Sequence, residues 1–89
     1  MFYTYILTMN NSQLYIGFTD NLKRRLHEHK EGQVFTTKKY MPLKLVYYEC
    51  YLSSKDAKQR ESMLKQFGST YVHLKTRIIN SIKKSQGRG

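Results

Sequence analysis

The stretch "FYTYILTMNNSQLYIGFT", Phe2–Thr19, decides the fold. "FYTYILT" is rich in aromatic and β-branched residues and carries apolar side chains on both faces, which predicts a central strand. "MNNS" reads as a turn and "QLYIGFT" as a second strand, so the two form a β-hairpin, although the connection is not the tight Asn-Gly type. With Met9, Asn10 and Asn11 as a three-residue loop, Tyr5 lies opposite Tyr15. A register shifted by two keeps both tyrosines on one face, whereas a two-residue loop would separate them.

Downstream, Thr19 or Asp20 is placed to cap a helix through "NLKRRLHEHKEG", which Gly32 ends. Leu22, Leu26 and His29 form its inward stripe, with Arg25 on the flank and Arg24 further round. "QVFTTKKYMP" reads as a basic, aromatic loop carrying Lys38 and Lys39, and "LKLVYYECYL" as a third strand. "SSKDAKQRESMLKQFG" follows as a helix capped by Ser53 or Ser54. "STYVHLKTRIINSIKK" is a last helix that turns either Val72, Thr76, Ile79 and Lys83 or Leu74, Ile78 and Ile82 to the sheet. The order β-β-α-β-α-α predicts an α+β domain over residues 1–84, a small antiparallel sheet with helices packed on it, and a loose tail over 85–89.

A chain of 89 residues has room for one core. No stretch is apolar enough to span a bilayer, and "MFYTYILTMN" lacks the basic residues and cleavage site of a signal peptide, so the sequence reads as soluble and cytoplasmic, with no membrane partner. The single cysteine, Cys50, excludes an internal disulfide and a thiolate zinc site and reads as a buried thiol. Sixteen Lys and Arg against six Asp and Glu give a formal charge of +10, which favours a polyanion, and nucleic acid first.

Among the six acids, Asp20 and Asp56 stand at helix starts, and Glu28 and Glu31 lie among cations. Glu61 differs, because it falls on the apolar stripe of its helix, between Ala57 and Leu64. It reads either as a half-buried partner of an arginine or as a ligand for a metal. Arg25 and His29, four residues apart, emerge on one side of their helix, where an arginine fork can hold a phosphate; the alternative is a solvated cationic face. Tyr5 and Tyr15 read either as a cross-strand aromatic pair or as phenols lining a site. Gly17 removes a side chain on the same face, which suits the close approach of a ligand's backbone, or a bulge.

Together, "YTY" (Tyr3–Tyr5), "YIG" (Tyr15–Gly17), Arg25, His29 and Glu61 resemble the GIY-YIG nuclease superfamily. "YILTMNNSQLYIGFTDNLKRRLHEHKEG", "TTKKYMPLKLVYYE" and "AKQRESMLKQFG" are similar to its small, single-domain bacterial members over nearly the whole chain. Tyr3 and Thr4 stand where the first motif has glycine and isoleucine, and the asparagine found late in some members has only Asn80 as a candidate.

The resemblance implies a three-stranded antiparallel sheet flanked by helices, the GIY-YIG fold, and hydrolysis of DNA phosphodiesters with one divalent metal, Mg²⁺ or Mn²⁺. It further implies Tyr5, Tyr15, Arg25, His29 and Glu61 as catalytic residues, with Glu61 as the metal ligand; sequence does not decide which tyrosine is the base, and Tyr5 is our preference. Arg24, Lys38, Lys39 and Gly17 are expected to contact the nucleic acid, with little sequence specificity and with RNA as an open substrate. A non-catalytic nucleic-acid-binding module on the same fold is the alternative, and a covalent tyrosine nucleophile a third reading.

Overall fold

The computed structural model describes residues 1–87. Strand β1 (Phe2–Thr8) takes the central place the sequence predicts, flanked by β2 (Leu14–Thr19) and β3 (Lys44–Tyr51) in the order β2-β1-β3, all antiparallel. Its residues Thr4–Thr8 are all buried, because both faces of the sheet are covered at this strand. Helices α1 (Leu22–Lys30), α2 (Ser54–Gln66), α3 (Gly68–Arg77) and α4 (Ile79–Ser85) complete an α+β fold, with a 3₁₀ turn at Lys38–Tyr40 before β3.

One face of β1 carries Ile6, which joins Ile16, Leu64, Leu74, Ile78 and Ile82 in the core beneath α2, α3 and α4. The Leu74, Ile78 and Ile82 stripe is therefore the buried one, while Val72 and Ile79 are exposed. The single last helix expected over 69–84 is two helices, meeting at Ile78. Residues spaced by four drift about 40° per step round a straight helix. The break at Ile78 is consistent with re-aiming the chain so that all three side chains stay on the sheet. Ser85, expected in the tail, ends α4 and accepts a hydrogen bond from Thr8 Oγ1 at 3.0 Å; Arg88 and Gly89 lie outside the described residues.

The other face of β1 carries Tyr3, Tyr5 and Leu7, and its hairpin register differs from the simplest expectation. The turn takes Met9–Gln13, closed by Met9 N–H on the Gln13 carbonyl at 2.9 Å, with Ser12 at φ 67°. Tyr5 thus pairs with Gly17 and Leu7 with Tyr15. The shift is by two residues, so both tyrosines still share a face. Cys50, expected to be buried, is exposed, because it pairs with Tyr3 on an edge strand where no helix covers it.

Gly17 owes its identity to this register. A Cβ there would stand 2.4 Å from Tyr5 Cζ and 2.5 Å from Tyr5 Oη. The space expected for a ligand's backbone is filled by the phenol, which lies across the edge strand. Gly17→Ala should cost about 1–3 kcal/mol in urea unfolding, as overpacking of a filled site does. In a Tyr5→Leu background the same change should cost less than half as much, and equal costs in both backgrounds would show that the glycine serves the backbone alone.

Candidate active site

The residues at the Tyr5 tip arrive from α1 and from the loop after it. Asn21 begins α1, its Oδ1 accepting from Arg24 N–H at 3.0 Å, so it takes the capping role expected of Thr19 or Asp20. Thr19 Oγ1 instead accepts from Asn21 N–H at 3.1 Å, and Asp20 pairs with Arg24 at 2.9 Å. From this start the helical period turns Leu22 and Leu26 half inward and buries His29. His29 Nε2 meets Tyr5 Oη at 2.8 Å, and its Nδ1 meets Thr37 Oγ1 at 2.8 Å. Ring centroids stand 5.7 Å apart for Tyr5 and His29, 5.3 Å for Tyr15 and His29, and 6.3 Å for the two tyrosines. The three rings form one tilted cluster, the geometry that aromatic quadrupoles favour.

Protonation follows from burial. His29 is 2% exposed, and burial, with the charge of Arg25, pushes its imidazole down to about 4, so it is neutral at pH 7. Burial pushes the Tyr5 phenol up to about 12; Arg25 pulls it back, while Tyr15 and Glu61 raise it further. A neutral imidazole has one N–H, so the Thr37–His29–Tyr5 chain holds three protons for two hydrogen bonds. Thr37 is fully buried, and among the described residues His29 is the only hydrogen-bond partner of its side chain. A proton left over at Thr37 would be stranded, which costs about 1–3 kcal/mol. The surplus proton therefore belongs at Tyr5, beside Arg25 and half-exposed Tyr15. By this count Thr37 donates to Nδ1, and Nε2–H donates to Tyr5 Oη.

The two neighbouring arginines separate. Arg25 sits by both tyrosines and pairs with Glu28 at 3.0 Å, whereas Arg24 points outward to Asp20. Glu61 lies on α2 between buried Ala57 and Leu64, near enough for its charge to act on Tyr5. Its partner is half-exposed Lys65 at 3.0 Å, not a buried arginine, and among the described residues its Oε1 has no hydrogen-bond partner. Lys38 and Lys39 are exposed on the 3₁₀ turn, with ammonium groups over Phe35 and Tyr40, and reach the cluster only through their neighbour Thr37. Asn80 is exposed on α4.

Two features escaped the sequence reading. Thr37 looked like one more polar loop residue, and nothing local marks it. On the opposite face of the sheet, Glu49 accepts from Tyr47 at 2.7 Å, from Tyr51, and from Arg60 Nε at 3.1 and 3.2 Å. Burial pushes the Glu49 carboxyl up, but the hydrogen bonds from Tyr51, Tyr47 and Arg60 outweigh it and hold it below its ordinary value. "YYECY" carried the signal, since Tyr47, Glu49 and Tyr51 recur at the strand period of two.

A family described as the GIY-YIG catalytic domain matches residues 1–73, a range that includes both tyrosines, Arg25, His29 and Glu61. The chain is 42% identical over 67 residues to a UPF0213 protein of Limosilactobacillus reuteri, covering 72% of this chain and 70% of that one. It is 35% identical over 65 residues to a UPF0213 protein of Bacillus licheniformis, covering 72% and 67%. A UPF0213 protein of Haloquadratum walsbyi is 33% identical over 66 residues, covering 73% and 74%. No solved structure matches the chain.

The neutral imidazole gives a pH dependence. Folded His29 binds its proton more weakly than the unfolded chain does, whose value is near 6.5, so the unfolded state gains protons first as pH falls. The stabilisation is complete above pH 6.5 and should be lost between about 6.5 and about 4, by about 3 kcal/mol in all. Urea unfolding across that range, with an NMR titration of the His29 ring, checks it. A ring that titrates near 6.5 in the folded protein would refute the buried neutral assignment.

Proposed function

The chain belongs to the GIY-YIG family of nuclease-type domains, and from that premise we propose that it is a divalent-metal-dependent endonuclease that hydrolyses DNA phosphodiester bonds. The observation that carries the reading is the gathering of Tyr15, Arg25 and Glu61 round Tyr5, each close enough to act on its phenol. A formal charge of +10 suits the polyanionic substrate.

GIY-YIG domains typically use a divalent metal. Among the described residues, no three His, Cys, Asp or Glu side chains gather into a metal cage. One carboxylate oxygen, Glu61 Oε1, is free of partners there, and a single carboxylate completed by waters and phosphate oxygens is a donor set that Mg²⁺ accepts, with Mn²⁺ as a substitute. The residues fit such an ion, with Glu61 holding it in place of Lys65. When bound, the ion would neutralise charge growing on the leaving oxygen.

Arg25 holds the non-bridging oxygens through its fork. Tyr15, the more exposed of the two tyrosines and a neighbour of Arg25, acts through its phenolate form to take the proton of the attacking water. Tyr5, the preferred base on sequence alone, is 1% exposed and holds its proton up to about 12, so it serves better as a donor. Its surplus proton lies on the side of Arg25 and Tyr15, where it would meet a phosphate held by Arg25. His29, buried and neutral, is a positioning residue that holds Tyr5 in this role. No recognition module accompanies the site among the described residues, so sequence specificity should be small, and structured or damaged DNA is a natural substrate.

Incubating purified protein with supercoiled, branched and single-stranded DNA, with Mg²⁺ or Mn²⁺ and with chelator, tests the reading. Metal-dependent nicking is the expected result; binding without cleavage in every condition would leave a non-catalytic module, and cleavage of RNA alone would change the substrate. Arg25→Ala should lower the rate about 100-fold or more, and Arg24→Ala less than about tenfold.

Glu61→Gln should abolish cleavage while shifting unfolding by less than about 1 kcal/mol, because the half-exposed Lys65 ammonium is not stranded. A large stability loss with activity intact in the folded fraction would make Glu61 structural. Tyr15→Phe should lose more activity than Tyr5→Phe, and the reverse order would return the base to Tyr5.

A further inference from the structure

Beside the tyrosine cluster, a cleft of about 440 Å³ opens between the start of α1 and the start of α2. Arg25 belongs to both places, so the cleft begins where the candidate site ends. Phe2 and Phe18 form its apolar part, stacked with centroids 6.3 Å apart and planes 7° from parallel. Arg24 and Arg25 line it from α1 and Lys58 from α2, so positive charge stands on both walls.

These cations are not equivalent. Arg24 is paired with Asp20 and Arg25 with Glu28. Lys58 makes no ion pair among the described residues, and its Nζ is held 5.3 Å from the centre of the Phe18 ring. A ring beneath the ammonium restricts a flexible side chain and leaves its hydrogen-bond donors free. Lys58 is thus a largely uncompensated charge, already aimed into a cleft continuous with Arg25. Lys38 and Lys39, by contrast, stand beyond the other end of α1, next to Thr37.

Resting on the nuclease reading for its substrate, we propose that this cleft is the DNA-backbone subsite flanking the reacting phosphate, with Lys58 as its principal phosphate contact. A strand whose reacting phosphate lies at Arg25 runs one way into the cleft, where Lys58 binds the next phosphate and the Phe2–Phe18 pair offers apolar surface to the sugar. The other way it runs toward Lys38 and Lys39, so cations receive it on both sides of the chemistry. Lys58 positions the strand and takes no part in bond breaking.

The test is binding, not cleavage, so it stands whether or not the protein cuts. Anisotropy of a labelled DNA duplex is measured in chelator over a series of salt concentrations for the wild type, Lys58→Ala, Lys58→Arg and Lys75→Ala. Lys75 is the matched control, since its Nζ also lies over a ring, 6.0 Å from Tyr71, but on α3 and outside the cleft. Lys58→Ala should weaken binding about 3- to 10-fold and reduce the slope of log affinity against log salt by about 1, with Lys58→Arg close to wild type and Lys75→Ala changing the slope by much less. The subsite is overturned if Lys58→Ala and Lys75→Ala behave alike, if the wild type does not bind DNA, or if only RNA shows the Lys58 effect. Loss of cleavage with the Lys58 effect intact would remove the nuclease reading and leave the subsite standing.

Discussion

A phenol buried in the middle of a sheet has to find a partner for its hydroxyl, and that requirement at Tyr5 organises one whole side of this protein. The ring comes from the central strand and crosses the edge strand, which is possible only because residue 17 has no side chain. Its tip then meets His29, which fixes where α1 must lie, and the far nitrogen of His29 fixes Thr37 in the following loop. An unmet hydrogen bond at any of these points would cost about as much as a well-packed apolar side chain contributes. Strand, helix and loop are therefore placed by one chain of polar contacts as well as by packing.

The opposite face of the sheet fixes α2 by a comparable device. Thr4 Oγ1 donates to the Ala57 carbonyl at 2.7 Å, and Arg60 reaches Glu49 on β3, so two long-range polar contacts hold the turn of α2 that leads into Glu61. Neither contact touches the tyrosine cluster. They act on it by setting the position of the helix from which Glu61 projects, as rigid elements do for sites that need fixed geometry. The site is thus supported from both faces, and β1 connects the two supports.

Much of this was legible in the sequence because its signals were periodic. Apolar residues on both faces of "FYTYILT" placed β1 centrally, and helical spacing offered Leu74, Ile78 and Ile82 as one of two stripes, the one that the structure buries. Glu61 stood out because a carboxylate on an apolar stripe is chemically odd, and Arg25 because it stands one turn before His29 on the same side of its helix. What stayed hidden depended on contacts distant in the chain or on turn details. The five-residue turn moved Gly17 opposite Tyr5; no local pattern reports that Thr37 reaches His29, or that Glu49 reaches Arg60. Cys50 misled because its strand is apolar in composition, while β3 is an edge strand that no helix covers at Cys50. Which of Tyr5 and Tyr15 keeps the more exposed phenol was closed to sequence.

The closeness of Gly17 to the Tyr5 ring also bears on how such a chain can drift over generations. Glycine at 17 is tolerable to lose only after the aromatic ring at 5 has gone, and the ring at 5 can arise only where glycine is already present. The two positions are locked into an ordered pair of changes, with a poorly folded intermediate blocking the other order. A descendant that abandoned the phenol would be released from the constraint at once, and position 17 would be free to gather the β-branched residues an edge strand ordinarily prefers. Side-chain size at 17 is then a record of whether a lineage still keeps a ring at 5.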